Sequence, residues 1–146
     1  MRRSLGDGFE LDDDPGRVDV DAVVAFLRTT YWAAGRPEDA IAASIRGSHR
    51  VVGLYHDGRQ AGFARVVSDG ETVAYLADVY VLPEHRGRGL GRALAHEAVE
   101  GAGLARVKWM LHTRDAHGLY ASMGFGPAGD RFMERPPAGG WGDGAA

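Results

Sequence analysis

The 146-residue chain contains no cysteine, which removes disulfides, zinc–thiolate sites and covalent thiol intermediates from consideration. It also lacks any apolar run near the ~20 residues that a membrane-spanning helix needs. Its opening Met1-Arg2-Arg3-Ser4 does not lead into the apolar core of a signal segment. A cytoplasmic protein with no membrane partner is expected. An excess of basic charge is missing as well: the net charge is −3 and the pI about 6.0, which argues against nucleic acid as a partner. No internal repeat is present. A hydrophobic content of 45% over this length suits a single domain with a sizeable core, taken here as residues 1–135. The Pro- and Gly-rich residues 136–146 read as a flexible tail.

What the chain does have is concentrated between Asp78 and Arg92. Val73 to Leu82 is apolar at nearly every position, so both faces of a strand there should be buried, with Asp78 as the charged exception. A basic turn follows, with Gly87, Gly89 and Gly91 at alternate positions, and then an amphipathic helix whose apolar face is Leu90, Leu94, Ala98 and Gly101. Glycine lets a backbone approach a ligand closely, and the free N–H groups of a helix start attract anions. The turn therefore reads as a phosphate cradle.

The elements around it follow from pattern. Phe9-Glu10-Leu11 allows a short first strand at most. Val20 to Thr30 reads as a helix capped near Asp19 or Asp21, and a second helix runs from Pro37 to Gly47 with Glu38 and Asp39 in its first turn. Between them Tyr31 and Trp32 are either aromatics packed under a corner or contacts to substrate. Asp57-Gly58 and Asp69-Gly70 mark two hairpins joining strands at Val51–Tyr55, Ala61–Val67 and Val73–Leu82. Arg106 to His112 is a buried strand, Asp115 to Met123 a helix capped by Thr113 or Asp115, and Phe125 with Arg131–Glu134 a closing hairpin. Strand, helix and strand imply one right-handed parallel crossover within a sheet that is otherwise antiparallel. The fold class is α/β with a mixed sheet and about four flanking helices.

The glycine turn is not a P-loop, because no Gly-Lys-Ser/Thr closes it, and Arg92 stands where the dinucleotide fingerprint needs a third spaced glycine. Arg86-x-x-Gly89-x-Gly91 after a strand ending Val-x-Pro-Glu resembles instead the signature of the GCN5-related N-acetyltransferase (GNAT) superfamily. Leu119-Tyr120-Ala121-Ser122-Met123-Gly124-Phe125 resembles the family's downstream Leu-Tyr-x-x-x-Gly-Phe motif. The resemblance implies acetyl-CoA as co-substrate, no metal, and transfer of an acetyl group to a primary amine. It leaves room for a homodimer.

Residue by residue, the resemblance implies that Val79, Tyr80 and Val81 offer main-chain contacts to pantetheine, and that Arg86, Gly87, Arg88, Gly89, Leu90, Gly91 and Arg92 hold the pyrophosphate. Tyr120 is the expected general acid for the departing thiolate. Asp78 is either a paired structural carboxylate or the group that draws a proton from the substrate ammonium. His112 is the second candidate base, with a hydrogen-bonded core histidine as the favoured alternative. Two departures stand out. Ala77 replaces a glutamate found in polyamine-type relatives, which counts against a polyamine acceptor, and Thr113 replaces an asparagine that contacts pantetheine in many relatives. Without cysteine, direct attack in a ternary complex is the natural mechanism. Composition and the aromatics Tyr31, Trp32, Tyr55 and Tyr80 suit a small cationic or aromatic amine as acceptor. A protein amine, and a non-catalytic acyl-CoA-binding regulatory module, are the alternatives.

Overall fold

The structure, a computed structural model, describes residues 1–139; residues 140–146, most of the expected tail, lie outside the described residues. Six strands form one sheet in sequence order: β1 (Arg2–Gly6), β2 (Phe9–Asp12), β3 (Arg50–His56), β4 (Arg59–Ser68), β5 (Val73–Val81) and β6 (Lys108–Met110). Every neighbouring pair is antiparallel except β5 and β6, which run parallel. Helices α1 (Val20–Leu27) and α2 (Glu38–Arg46) cover one face of this sheet. On the other face α3 (Leu90–Glu100) makes the β5–β6 crossover, and α4 (His117–Ala121) follows β6.

The local signals act as the residues dictate. The Asp19 side chain caps α1 by accepting from the Ala22 N–H at 3.0 Å, and α2 begins after Pro37 and stops at Gly47. Asp57-Gly58 turns with positive φ at both residues, +48° and +83°, as the twist of a tight hairpin requires. Leu90, Leu94, Ala95 and Ala98 lock α3 onto β3–β5. A fully buried leucine such as Leu94 (0% exposed) contributes about 1.5–3 kcal/mol by leaving water. Arg50 ties the far end of α3 to β3, donating to the Glu97 carbonyl at 2.6 Å and its carboxylate at 3.0 Å.

The structure departs from the sequence reading at both ends. The N-terminus is a full β1–β2 hairpin about Asp7-Gly8, whose first strand is almost wholly exposed and so shows no apolar alternation. Toward the C-terminus, β6 has three residues and α4 five. Phe125 and Arg131–Glu134 form no hairpin: no strand follows β6 among the described residues. Eight glycines and prolines from Gly118 to Gly139 break the chain too often for a ladder. Val79 is half-buried, because the strand expected to be covered on both sides opens onto a cleft, and Val73 at the other end of β5 is 41% exposed.

Candidate active site

β5 and β6 are joined only at Val73–Lys108, Ala74–Trp109 and Tyr75–Met110. Beyond Tyr75 they part, and the gap widens into a cleft of about 1320 Å³, roomier than the ~300–1,000 Å³ of ordinary small-ligand pockets. The freed edge of β5 is one wall. Leu82 N–H donates to the Ala61 carbonyl of β4 at 2.8 Å, so strand alternation turns the peptide groups of Val81 and Val79 to the cleft side. The Val81 carbonyl accepts from Arg86 Nε at 3.0 Å.

At the end of that wall stands the glycine turn. Gly87 and Gly89 have φ of +80° and +76°, a region that glycine enters without strain. Gly89 is the N-cap of α3; no side chain caps the helix and its first turn holds no acidic residue. The leading N–H groups therefore remain available, with the helix dipole behind them. Gly87, Gly89, Leu90, Gly91 and Arg86 all line the cleft. At Gly91 a Cβ would rest 3.8 Å from Val81 Cγ2, so space alone does not demand glycine there. Arg88 and Arg92 are not among the cleft-lining residues. The Arg88 guanidinium sits 5.8 Å above the Phe9 ring, and Arg92 Nη1 donates to Ser122 Oγ at 2.6 Å.

Tyr120 faces the turn from α4. The residue is buried, with its ring edge-on to Phe125 at 6.0 Å, and its backbone carbonyl receives the Met123 and Phe125 N–H groups at 2.9 and 3.1 Å. The Leu-Tyr-x-x-x-Gly-Phe spacing thus wraps the last turn of α4 around this tyrosine, with Gly124 at φ +91° reversing the chain. Burial pushes the Tyr120 phenol up to about 12. Thr113 also lines the cleft, its Oγ1 accepting from the Ala116 N–H at 3.0 Å at the entry to α4.

The α1–α2 side of the cleft has a different character. Asp78 sits in a β-bulge, two residues of β5 opposing one of β4 between the Phe63–Tyr80 and Arg65–Ala77 pairs, with φ at +56°. The bulge points its carboxylate among three donors: Arg65 Nε at 2.6 Å, Arg36 Nη1 at 2.9 and 3.0 Å, and Trp32 Nε1 at 3.0 Å. Desolvation pushes the Asp78 carboxyl up, but the charges and hydrogen bonds of Arg65 and Arg36 outweigh it and hold the group below its ordinary value. Tyr31 packs edge-on against Trp32 at 5.1 Å and carries the Arg114 guanidinium 3.8 Å over its own ring. His112, expected in the core, is exposed; its Nδ1 meets the Tyr75 hydroxyl and its Nε2 lies 2.9 Å from Glu134 Oε2.

The cleft therefore brings together Asp78, Val79, Tyr80, Val81, Arg86, Gly87, Gly89, Leu90, Gly91, Thr113, Tyr120, Tyr31 and Trp32. Arg36, Arg65, Tyr75 and Arg114 line it too and were not singled out from sequence. Arg65 had a signal, since it is a lone charge in an apolar strand one hairpin away from Asp78; Arg36 and Arg114 lie in loops that carry none. Among the described residues no group of three or more His, Asp or Glu side chains is placed to hold a metal ion, and no helix is long and apolar enough to cross a membrane.

Comparison with known proteins agrees with this geometry. Residues 47–127, more than half the chain, match the Acetyltransferase (GNAT) domain. A Gibberella zeae protein named as an acetyltransferase is 34% identical, the match covering 71% of each chain. A solved structure from Xanthomonas campestris pv. campestris, described as belonging to the GNAT family, superposes with a TM-score of 0.83 at 40% identity, over 90% of this chain and 94% of its own. A mycothiol acetyltransferase of Kineococcus radiotolerans is 36% identical over 86% of this chain, which spans 44% of that larger protein. With the motif residues gathered at one cleft and the domain match running from Gly47, just after α2, past Phe125, the chain belongs to the GNAT superfamily and is an enzyme of the N-acetyltransferase class.

Proposed function

We propose that the chain transfers the acetyl group of acetyl-CoA to a primary amine, preferably on a small molecule, by direct attack in a ternary complex. The observation that carries this reading is the pairing of the uncapped α3 start and free β5 edge with the buried Tyr120 hydroxyl on the opposite wall. The α3 N–H groups and the Gly87–Gly91 backbone take the pyrophosphate, and the peptide groups of Val79 and Val81 take the pantetheine. Thr113 adds a hydroxyl to that wall, while Tyr80 supports it from the α1–α2 face by stacking on Phe26 at 4.0 Å. Arg88 and Arg92 contribute to the phosphates by charge from outside the cleft.

Transfer requires a C–N bond to form at the thioester carbonyl, the C–S bond to break, the sulfur to gain a proton and the ammonium to lose one. A main-chain N–H of β5 polarises the carbonyl. Tyr120 supplies the sulfur with a proton, and a phenol held at about 12 stays protonated at every working pH. Asp78, already ionised and receiving three donors, is a weak base, and its role in this reading is to position Trp32, Arg36 and Arg65. The Tyr75–His112–Glu134 chain is the route by which the ammonium proton leaves. A larger cleft than one small ligand fills, and a relative named for mycothiol, favour a small acceptor beside the coenzyme.

The test is release of free CoA thiol from acetyl-CoA across a panel of amines, amino acids, aminoglycosides and peptides. Turnover on a small amine is the expected result. Tight acetyl-CoA binding with no turnover across the panel would favour a non-catalytic acyl-CoA-binding module instead.

A further inference from the structure

The protein carries a net charge of −3, yet four arginines and only two aspartates, Asp78 and Asp115, line the cleft. Arg86 belongs to the phosphate end of this cleft; the other three, Arg36, Arg65 and Arg114, stand on the side away from the glycine turn. The Arg36–Arg65 pair is the unusual feature. Two guanidiniums share the single carboxylate of Asp78, which leaves one positive charge uncompensated. Arg36 uses only Nη1 and Arg65 only Nε. Among the described residues, the remaining nitrogens of both side chains have no protein acceptor, although the side chains are only 20% and 13% exposed.

Tyr55 Oη is the buried side-chain polar atom left without a partner among the described residues, so the idle N–H groups of Arg36 and Arg65 open onto the cleft and are free to donate to a ligand there. No backbone carbonyl or carboxylate of the described residues accepts from them, and both side chains front the cleft. The two terminal nitrogens of Arg65 form a planar fork, the geometry that matches a carboxylate or phosphate through two parallel hydrogen bonds. Asp78 fixes the direction of that fork through Nε. The same charge repels an ammonium, so it lowers the proton affinity of an amine held nearby and raises the share of the neutral nucleophile. Such a site takes an amine that brings its own negative group and rejects one that brings a second positive group.

Building on the acetyl-transfer reading, we infer that the acceptor is a primary amine carrying a carboxylate or phosphate, and that Arg36 and Arg65 receive that group. This acceptor class is opposite in charge to the cationic amine that composition alone suits. Trp32 and Tyr31, on the same side, cover the carbon skeleton between the two ends.

The experiment compares matched acceptors by CoA release: amino acids against their decarboxylated amines, and an amino-sugar phosphate against the free amino sugar. The anionic member of a pair should be used with kcat/KM higher by about ten- to a hundredfold, the scale of hydrogen bonds to a charged group. The carboxylate and phosphate arms separate the two sources of negative charge. Equal use, or preference for the uncharged or cationic member, overturns the inference. So does the absence of turnover on every pair by protein that binds acetyl-CoA in calorimetry, while failure to bind acetyl-CoA overturns the acetyl-transfer reading itself. Arg36→Gln and Arg65→Lys should each raise KM for the anionic acceptor and collapse the discrimination within a pair, with KM for acetyl-CoA unchanged. A purely structural role would lower activity on both members alike and leave their ratio intact.

Discussion

Arg65 Nε donates to Asp78 Oδ2 at 2.6 Å across the β4–β5 bulge, joining the lone charge of β5 to an arginine set among apolar residues of β4. The bulge makes this possible by giving Asp78 a left-handed backbone, φ +56°, that an unbroken ladder would not allow. Charge pairing and backbone irregularity therefore occur at the same place, facing the same cleft.

Removing the charge of Asp78 should cost the fold first. Asp78→Asn leaves two half-buried guanidiniums without their anion, a change of about 3–5 kcal/mol in buried pairs, measured by urea unfolding at neutral pH. A variant as stable as the parent would end the claim that this carboxylate organises the site.

The same pair sets an acid limit. The Asp78 carboxyl is held below its ordinary value by Arg65 and Arg36 against its own burial, so folding favours the ionised form. That stabilisation is complete above about pH 4, the unfolded value, and is lost as pH falls through the lower folded value. Urea midpoints taken from pH 7 to pH 2 should fall for the parent, and Asp78→Asn should lack this component. Parallel curves would show that other carboxylates carry the acid response.

Tyr120→Phe should lower kcat about a hundredfold, the usual scale for loss of a general acid, with little change in acetyl-CoA affinity. Because burial pushes this phenol up to about 12, the parent enzyme should show no loss of kcat attributable to Tyr120 between pH 6 and pH 10. Unchanged turnover in the phenylalanine variant would remove the hydroxyl from the chemistry.

Gly89→Ala tests the cradle. Nothing stands within 4 Å of the added Cβ, so its effect comes from φ +76°, a conformation that costs a non-glycine residue about 1–2 kcal/mol. If the turn relaxes, the α3 N–H groups swing off line. KM for acetyl-CoA should then rise about tenfold, the rate equivalent of that energy, with a smaller change in kcat. A variant with the parent's KM would place the phosphates elsewhere.

His112→Asn should lower kcat by about tenfold or more if the imidazole relays the ammonium proton, and Glu134→Gln should do so more weakly. Both are exposed and lie outside the core, so thermal unfolding should scarcely change. Full activity in both variants would leave proton removal to solvent.

Much of this was legible in the sequence because it rests on short-range rules. Two Asp-Gly dipeptides, Asp57-Gly58 and Asp69-Gly70, turn hairpins, Asp19 caps a helix, and the Gly87–Gly91 spacing and Tyr120 motif place two walls of one cleft. The hairpin at Asp7-Gly8 was not legible in the same way, because β1 is an exposed edge strand with no apolar face to mark it. The bulge at Asp78 could not be read either, since it depends on how β4 and β5 register. Arg36 meets Asp78 from 42 positions away, and no local pattern encodes such a meeting. His112 was expected in the core because the apolar run before it promised a longer strand than three residues.

That brevity of β6 has a mechanical consequence. β5 is clamped along its length by β4 and α3, whereas the segment that carries Thr113 and Tyr120 is tethered to the sheet by three paired positions. Backbone pairing thus holds the first wall more firmly than the second, which relies on side-chain contacts such as Arg92–Ser122 and the packing of Tyr120. Amide hydrogen exchange would be faster from Met110 to Phe125 than along β5, and any ligand that bridges the walls would slow it. In the acetyl-transfer reading proposed above, Tyr120 would then act as acid from the less firmly held wall.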